Sequence, residues 1–591
     1  MTLGTDRRIP PLRAGRRAAG AALLGWLDDP RAPRLCRITG SAGAGKSHLL
    51  AWLVAGGTAP DTPSAQRISA VLPADGLSVR GAVWLLGLQL GTGARTPQEL
   101  LAALAADGRR TVVCVPDLDR AADPARLIAE LLDPILQVPQ VRMVVESASP
   151  LAAVADPAVL DLDDPHWTDR ERFEEWCARE GADPSAYPNP GRALGVRPPE
   201  DAGLSELIAR VPLDPAGDLD LPAAGEDLLT ELWTAAARED DLGPLAADPL
   251  LYALARPAAV TAALEGRTGA LPEAWEAAGP ALIDTPDAPS RAHVLRARLL
   301  GARGASPADA AAVDRLADAP SGWSARWARW EPGTAAAAAS GTGPHRDGWL
   351  LADATGAVRV LSAATGATLA RIVVPGPKPL RALAATAGGS LLLLDSWGGI
   401  ELVAPAHPAP GLEPYALDEA LARLRAAAGA EPSALAAATA LPDAAPALGD
   451  TAGAVHWYQD GEVWSERLHT GPVTALAALG LGPAGDAGVP LLASGGFDGA
   501  VRLWGPGGEP MADPADHRPS PVAAVALGDG PAGLVVAAAW SDGLIRVRRP
   551  EQPGSRLDLR LGSQVWALSL VGGTLLAGLA DGVVAIDLRQ N

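Results

Sequence analysis

Gly40-Ser41-Ala42-Gly43-Ala44-Gly45-Lys46-Ser47 is the stretch that decides the N-terminal fold. A short apolar run, Leu35-Cys36-Arg37-Ile38-Thr39, leads into it, and an apolar stretch compatible with a helix, 48–55, leads out. The spacing is G-x-x-x-x-G-K-[ST] in a strand–loop–helix setting, which is the setting the chemistry requires. Gly40, Gly43 and Gly45 let the backbone curl until amide N–H groups face an anion. The start of the following helix adds its partial positive charge. Lys46 would bring an ammonium to the β- and γ-phosphates of a nucleotide, and the Ser47 hydroxyl would ligate Mg2+. The binding stretch therefore runs from Gly40 through Ser41, Ala42, Gly43, Ala44, Gly45, Lys46 and Ser47 to His48, itself a helix-surface residue with no chemistry of its own.

Further strand–helix units follow. Thr96-Pro97-Gln98-Glu99 has the capping-box pattern, with Thr96 as N-cap, Pro97 in the first helical position and Glu99 in the third. Leu100, Leu101, Leu104 and Ala105 form its apolar face. Thr111 to Val115 and 141–145 read as buried strands, and Asp123-Pro124 opens a helix carrying Leu127, Ile128, Leu131 and Leu132. Strands alternating with helices predict a mostly parallel sheet covered on both faces. Phosphate chemistry also needs an acid at the end of a neighbouring strand to hold the metal and the attacking water. Asp117 and Asp119 are the catalytic candidates, and Asp117 joins Ser47 as a metal ligand; both acids also read as solvated loop carboxylates.

These residues resemble a family. From about 13 to 164 the chain is similar to the NTPase domain of bacterial STAND proteins, relatives of the NACHT and NB-ARC ATPases. The likeness rests on the Gly40-to-Ser47 loop, on the lead-in Ala14-Gly15-Arg16-Arg17, and on Asp117-Leu118-Asp119-Arg120-Ala121, which resembles the family's acidic strand end. Three positions depart from the pattern. Aligned on Leu118-Asp119, Pro116 stands where the first acid belongs and Arg120 replaces the usual Glu. The next strand ends Glu146-Ser147-Ala148-Ser149, without the polar sensor Arg. The resemblance implies binding of ATP/ADP with Mg2+; the departures bear on hydrolysis, so ATPase activity is left open.

The middle, 165–320, alternates short helical runs (170–179, 226–237, 292–302) with Pro- and Gly-rich stretches such as 187–216. The resemblance implies a helical lid and winged-helix-like adaptor here. A plain helical adaptor without a site is the alternative.

The C-terminal half repeats. Apolar runs, each followed by a small or acidic residue with Gly and then alternating residues, recur around Gly356, Gly398-Gly399, Gly453, Gly499, Gly543 and Gly582. Their spacing is close to the ~40–45 residues of a WD40 propeller blade. One long interval holds an apparent helix, 414–428, with Leu417, Ala420, Leu421 and Leu424 on one face. The unit from His469 to Trp504 resembles a WD40 blade. The family's structural tetrad falls on His469, Ser494, Asp498 and Trp504, which predicts a chain of hydrogen bonds from indole to hydroxyl to imidazole to carboxylate. That His/Ser/Asp set is read as structural, not as a hydrolase triad. The last unit stops after its third strand, and Trp323-Ser324-Ala325-Arg326-Trp327-Ala328-Arg329-Trp330 is the expected source of the missing outer strand. Ten of the 17 tryptophans lie from Trp323 onward, where they are expected to pack between blades.

Composition sets the outer bounds. At 591 residues the chain exceeds the ~250–300 at which one core stops growing. The expected layout is multidomain: a short tail (1–12), an α/β P-loop NTPase domain with a parallel sheet (13–164), a helical adaptor (165–320), and an all-β WD40-like propeller (321–591). The propeller should have six blades, or seven with a degenerate one, and a helical insertion near 414–430. A formal net charge of -20 argues against a nucleic-acid or anionic-membrane partner. Of 49 basic residues only Lys46 and Lys378 are lysines. Cys36, Cys114 and Cys177 lack metal-ligand spacing and read as buried thiols. No secretory h-region is seen in 1–17, so a cytoplasmic location is expected. The whole reading is a STAND-type nucleotide-dependent switch whose propeller senses a ligand or docks a protein partner. The effector is expected in trans, since only about a dozen residues precede the NTPase region, too few for a domain. Copies are expected to assemble into a homo-oligomer on activation. The alternative is a catalytically inactive scaffold in which the propeller does the work.

Overall fold

Buried apolar strands alternating with amphipathic helices build the first half of the protein, and short antiparallel sheets build the second. The computed structural model describes residues 12–589 except 60, 155, 197–201, 318–321, 334, 375, 377, 405–413, 439–444, 460, 482–488, 531–532 and 553. The tail read as 1–12 thus lies, but for Leu12, outside the described residues. Two compact units result. One takes the chain up to Ala247 together with Leu254–Arg267; the other takes Asp248–Ala253 and everything from Thr268. The helices between 165 and 320 are shared between the two.

The first unit is organised by a five-stranded parallel sheet of β1 (Leu35–Thr39), β2 (Ala70–Val71), β3 (Thr111–Val115), β4 (Val141–Glu146) and β5 (Ala158–Asp161), in the order β2-β3-β4-β1-β5. Every residue of β3 and β4 is buried, as helices on both faces of a parallel sheet require. The two edge strands β2 and β5 are short, too short to leave a periodic signal. Helices α1 (Arg17–Asp28) and α2 (Lys46–Gly57) cover one side. Their Leu23, Leu27, Leu49, Leu50 and Leu53 pack on Cys36, Ile38 and Val144. The capping box at Thr96 forms as expected, with Glu99 N–H donating to Thr96 Oγ1 and Thr96 N–H to Glu99 Oε2, both at 3.2 Å. The helix opened by Asp123 is less regular than its pattern. Pro124–Leu127 passes into a π-helical turn, Ile128–Leu132, before Asp133–Gln137 resumes. Pro134 explains the widening, because it has no N–H to offer the carbonyl one turn back.

The second unit joins three helices (Ala270–Leu282, Ala288–Leu299, Pro307–Ala317) to six antiparallel sheets. The blades start at the inner strands Ala337–Ser340, Leu380–Ala385, Pro432–Ala437, Val473–Leu481, Val522–Gly530 and Val565–Val571. Together these line a central channel of roughly 310 Å3, walled by small residues such as Ala339, Ala384, Ala436, Ala477 and Ala526. Six blades are present among the described residues, with no seventh. The sixth is closed as expected. β6 (Trp323–Arg329) runs antiparallel to Gly582–Leu588, with Trp323 opposite Leu588 and Arg329 opposite Val583.

Helix Pro414–Ala427 buries Leu417, Leu421 and Leu424 against Leu392 and Leu394 of blade 2 and Leu435 and Leu448 of blade 3. It wedges between these blades, which accounts for the long repeat interval. Blade 2 shows three strands among the described residues. Trp349, Trp457 and Trp540 are fully buried between blades. Arg298 anchors the helices to the ring. It donates to Leu561 O and Asp581 and stacks its guanidinium 4.0 Å from the Trp330 ring centroid.

Candidate functional site

The loop between β1 and α2 takes the shape its glycines permit. Gly40, Gly43 and Gly45 all have positive φ, at 138°, 81° and 91°. Gly45 is the residue before the first turn of α2, so the first amides of that helix have no partner within it. Lys46 curls back over the loop, its Nζ donating to Gly40 O at 3.0 Å and Ser41 O at 3.2 Å. Ser47 and His48 are exposed at the start of α2. No partner of His48 points to chemistry.

The loop is braced from three sides. Arg16, 2% exposed, donates to Ala44 O, Leu162 O, Thr168 Oγ1 and Pro188 O. Burial lowers its pKa to about 10. Gly15 before it has positive φ, and a Cβ there would strike Asp169 O. Asp163, just beyond β5, accepts from Ser41 N–H at 2.6 Å and Ser41 Oγ at 2.8 Å. Asn189 donates to Ser41 Oγ and Ala42 O, and Gly191 N–H to Gly43 O. A Cβ on Gly191 would lie 2.6 Å from Gly43 Cα, so two glycines are needed for this approach.

The acids sort into different places. Asp117, at the end of β3, adopts a left-handed backbone (φ 55°) and lies 3.4 Å from Ser47 Oγ. Asp119 turns the other way, accepting from Ser147 Oγ and Ala148 N–H, both at 2.7 Å. It clasps the end of β3 to the end of β4. Arg120 pairs with Asp75. Glu146 is the residue the sequence reading passed over. It is 7% exposed, accepts from Ser47 Oγ at 3.1 Å and stands 3.8 Å from Lys46 Nζ. Burial first, and then the neighbouring Asp117 carboxylate, hold its pKa above the usual carboxylate range. Its position follows from pairing, since Ile38 at the end of β1 lies opposite Glu146 in the parallel register. The available signal was the strand run 141–145, apolar but for Arg142, ending in an acid at the same end of the sheet as the glycine loop.

These residues fit a magnesium-bound phosphate. Ser47, Asp117 and Glu146 offer hard oxygen donors of the kind Mg2+ takes, and Lys46 offers the ammonium. Asp117, Glu146 and Ser47 would hold the metal, and the Gly43-to-Ser47 backbone would hold the phosphates. The three cysteines are free and buried. Burial pushes Cys36 and Cys114 up to about 12, which keeps them as inert thiols.

The propeller carries a second cluster. His469 Nε2 lies 2.9 Å from Ser494 Oγ and its Nδ1 3.1 Å from Asp498 Oδ1, as the tetrad predicts. The indole end differs. Trp504 Nε1 donates to Gly508 O in the following turn and not to Ser494. A glycine-rich turn at Gly505-Pro506-Gly507-Gly508 brings that carbonyl to the ring. A further set went unnoticed in blade 3, where buried His456 bridges Asp450 (3.3 Å) and Ser465 (2.8 Å). Asp450 accepts the backbone N–H groups of Ala452 and Ala454 in its own hairpin turn, and Asp498 accepts that of Ala500 in its turn and that of Thr470 beside His469.

No family model matches the chain, and no curated protein matches it either. Among solved structures the chain is similar to U3-55K, at 16% identity over 46% of this chain and 99% of that one, with a TM-score of 0.30. It is also similar to the RRP9 WD40 repeats, at 17% identity, 46% and 98% coverage and a TM-score of 0.30. For the computationally designed Ika4 protein the values are 22%, 28%, 94% and 0.22. The six-bladed ring rests on this chain's own strand pairing. No helix among the described residues is long and apolar enough to cross a membrane.

Proposed function

We propose that this protein is a STAND-type nucleotide-dependent switch. It binds ATP/ADP with Mg2+ at the Gly40-to-Ser47 loop and uses its propeller to dock a protein partner, with the effector in trans and copies assembling on activation. The observation that carries the reading is the convergence of the glycine loop, Lys46, Ser47, Asp117 and Glu146 at the ends of β1, β3 and β4. In this reading the loop amides and Lys46 bind phosphate oxygens, Ser47 and the two acids orient the metal, and Arg16 with Asn189 holds the loop in shape. Bound Mg2+ would offset phosphate charge. Asp119 keeps the end of β4 in place.

The docking role is supported by the propeller surface. In each blade the turn between the second and third strands lies at the same end of the ring as the start of the first strand. Trp397 and Phe497 sit in two such turns and are 68% and 62% exposed. Exposed aromatics on one face are the usual anchors of protein interfaces.

A second reading, a nucleotide-binding or nucleotide-blind scaffold without turnover, is favoured by Asp119. Both of its oxygens accept hydrogen bonds from Ser147 and Ala148, which ties Asp119 to the end of β4 rather than to an attacking water. Titration of purified protein with ATP and ADP, with turnover measured for wild type and Lys46→Ala, separates the two. Tight binding with Lys46-dependent turnover supports the switch, and binding without turnover supports the scaffold. Absence of binding refutes the nucleotide site.

A further inference from the structure

We infer that Glu146 makes nucleotide binding at this loop dependent on a divalent cation: its carboxylate repels phosphate until a metal ion bridges the two. The inference rests on the reading of the Gly40-to-Ser47 loop as a nucleotide site. Among the described residues, Lys46 stands 3.8 Å from Glu146, and the carboxylates of both Glu146 and Asp117 meet the Ser47 hydroxyl. The local charge is therefore negative before any phosphate arrives. Phosphate oxygens drawn to Lys46 Nζ must approach a carboxylate that already lies 3.8 Å from that nitrogen.

Glu146 cannot easily swing away. Its strand is buried along its whole length, Ser147 N–H donates to Ile38 O, and Asp119 pins Ser147 and Ala148. At an effective dielectric of ~20 and a separation of ~5 Å, one like charge lowers anion affinity by roughly 250-fold. Solvent and salt reduce this, so an effect of at least about tenfold is expected. A divalent ion held by Ser47, Asp117 and Glu146 reverses the sign, because the same carboxylate then binds the cation that attracts the phosphates.

The test measures ATP and ADP affinity of the full chain with excess EDTA and with Mg2+, for wild type, Glu146→Gln, Glu146→Asp and Lys46→Ala. Binding of Mn2+ alone is followed in parallel by electron paramagnetic resonance. Glu146→Gln should tighten metal-free ATP binding at least about tenfold, shrink the gain from Mg2+, and weaken Mn2+ binding by a similar factor. Glu146→Asp, which keeps the charge, should restore the metal-free exclusion and guards against a folding artefact. If Lys46→Ala abolishes binding while Glu146→Gln leaves the metal-free affinity unchanged, the nucleotide site stands and this inference falls. If no variant binds ATP or ADP, the nucleotide reading falls, and with it the exclusion of phosphate by Glu146. The Mn2+ titration then decides what is left: affinity lost in Glu146→Gln keeps Glu146 as a metal ligand, and unchanged affinity removes that role too.

Discussion

Arg16→Lys should cost the first unit far more than its conservative chemistry suggests. The guanidinium reaches four acceptors on four segments: Ala44 O in the loop, Leu162 O after β5, Thr168 Oγ1, and Pro188 O. An ammonium on a shorter, unforked stem has three donors at one point and cannot span them. One or two buried acceptors are then left unmet at ~1–3 kcal/mol each, so a loss of about 2–4 kcal/mol is expected. For a unit of this size that corresponds to a fall in Tm of roughly 5–15 °C. The carbonyl of Ala44 belongs to the glycine loop, so nucleotide affinity should fall as well. Differential scanning calorimetry and an ATP titration on the same samples check both parts. A variant that melts within a degree of wild type and binds unchanged would refute the view that Arg16 shapes the loop.

Three further outcomes are expected. Gly191→Ala places a methyl 2.6 Å from Gly43 Cα, where backbone must give way; a loss of about 1–3 kcal/mol and weaker ATP binding should appear in denaturant melts and titrations. Trp327→Ala removes a ring that packs on Trp349 and whose N–H donates to Ala363 O; about 3–5 kcal/mol should be lost, and limited proteolysis should begin at the closing strand β6. Burial holds the His469 pKa below its ordinary 6.5, against the pull of Asp498. The unfolded chain therefore binds the proton more readily, and propeller stability should fall as pH drops below about 6.5, a slope that His469→Gln should flatten in melts between pH 8 and 5.

The glycine loop was legible because its signature is local. Eight consecutive residues set the turn, and the flanking apolar runs supply strand and helix. The closing strand was legible for a different reason: a blade one strand short implied a donor, and Trp323 to Trp330 had the alternation. What escaped was set by distant pairing. Glu146 meets Ser47 and Lys46 only because β4 lies beside β1 with Ile38 opposite it. Asn189 and Gly191 matter only because their segment folds back over Gly43. The Trp504 error has the opposite cause. The family pattern assigned Ser494 as partner, but a nearby turn carbonyl, Gly508 O, takes the indole N–H.

The closing of the ring also sets a timetable. β6 is made before every blade, yet its partner Gly582–Leu588 is the last strand of the ring. At ~5–20 residues per second, the roughly 250 residues between them take about 13–50 s to synthesise. During that wait Trp323 and Trp327 sit on an unpaired edge, a template for pairing with another chain. The protein is thus most exposed to aggregation on the ribosome, and a premature stop in the last blade would extend that exposure indefinitely.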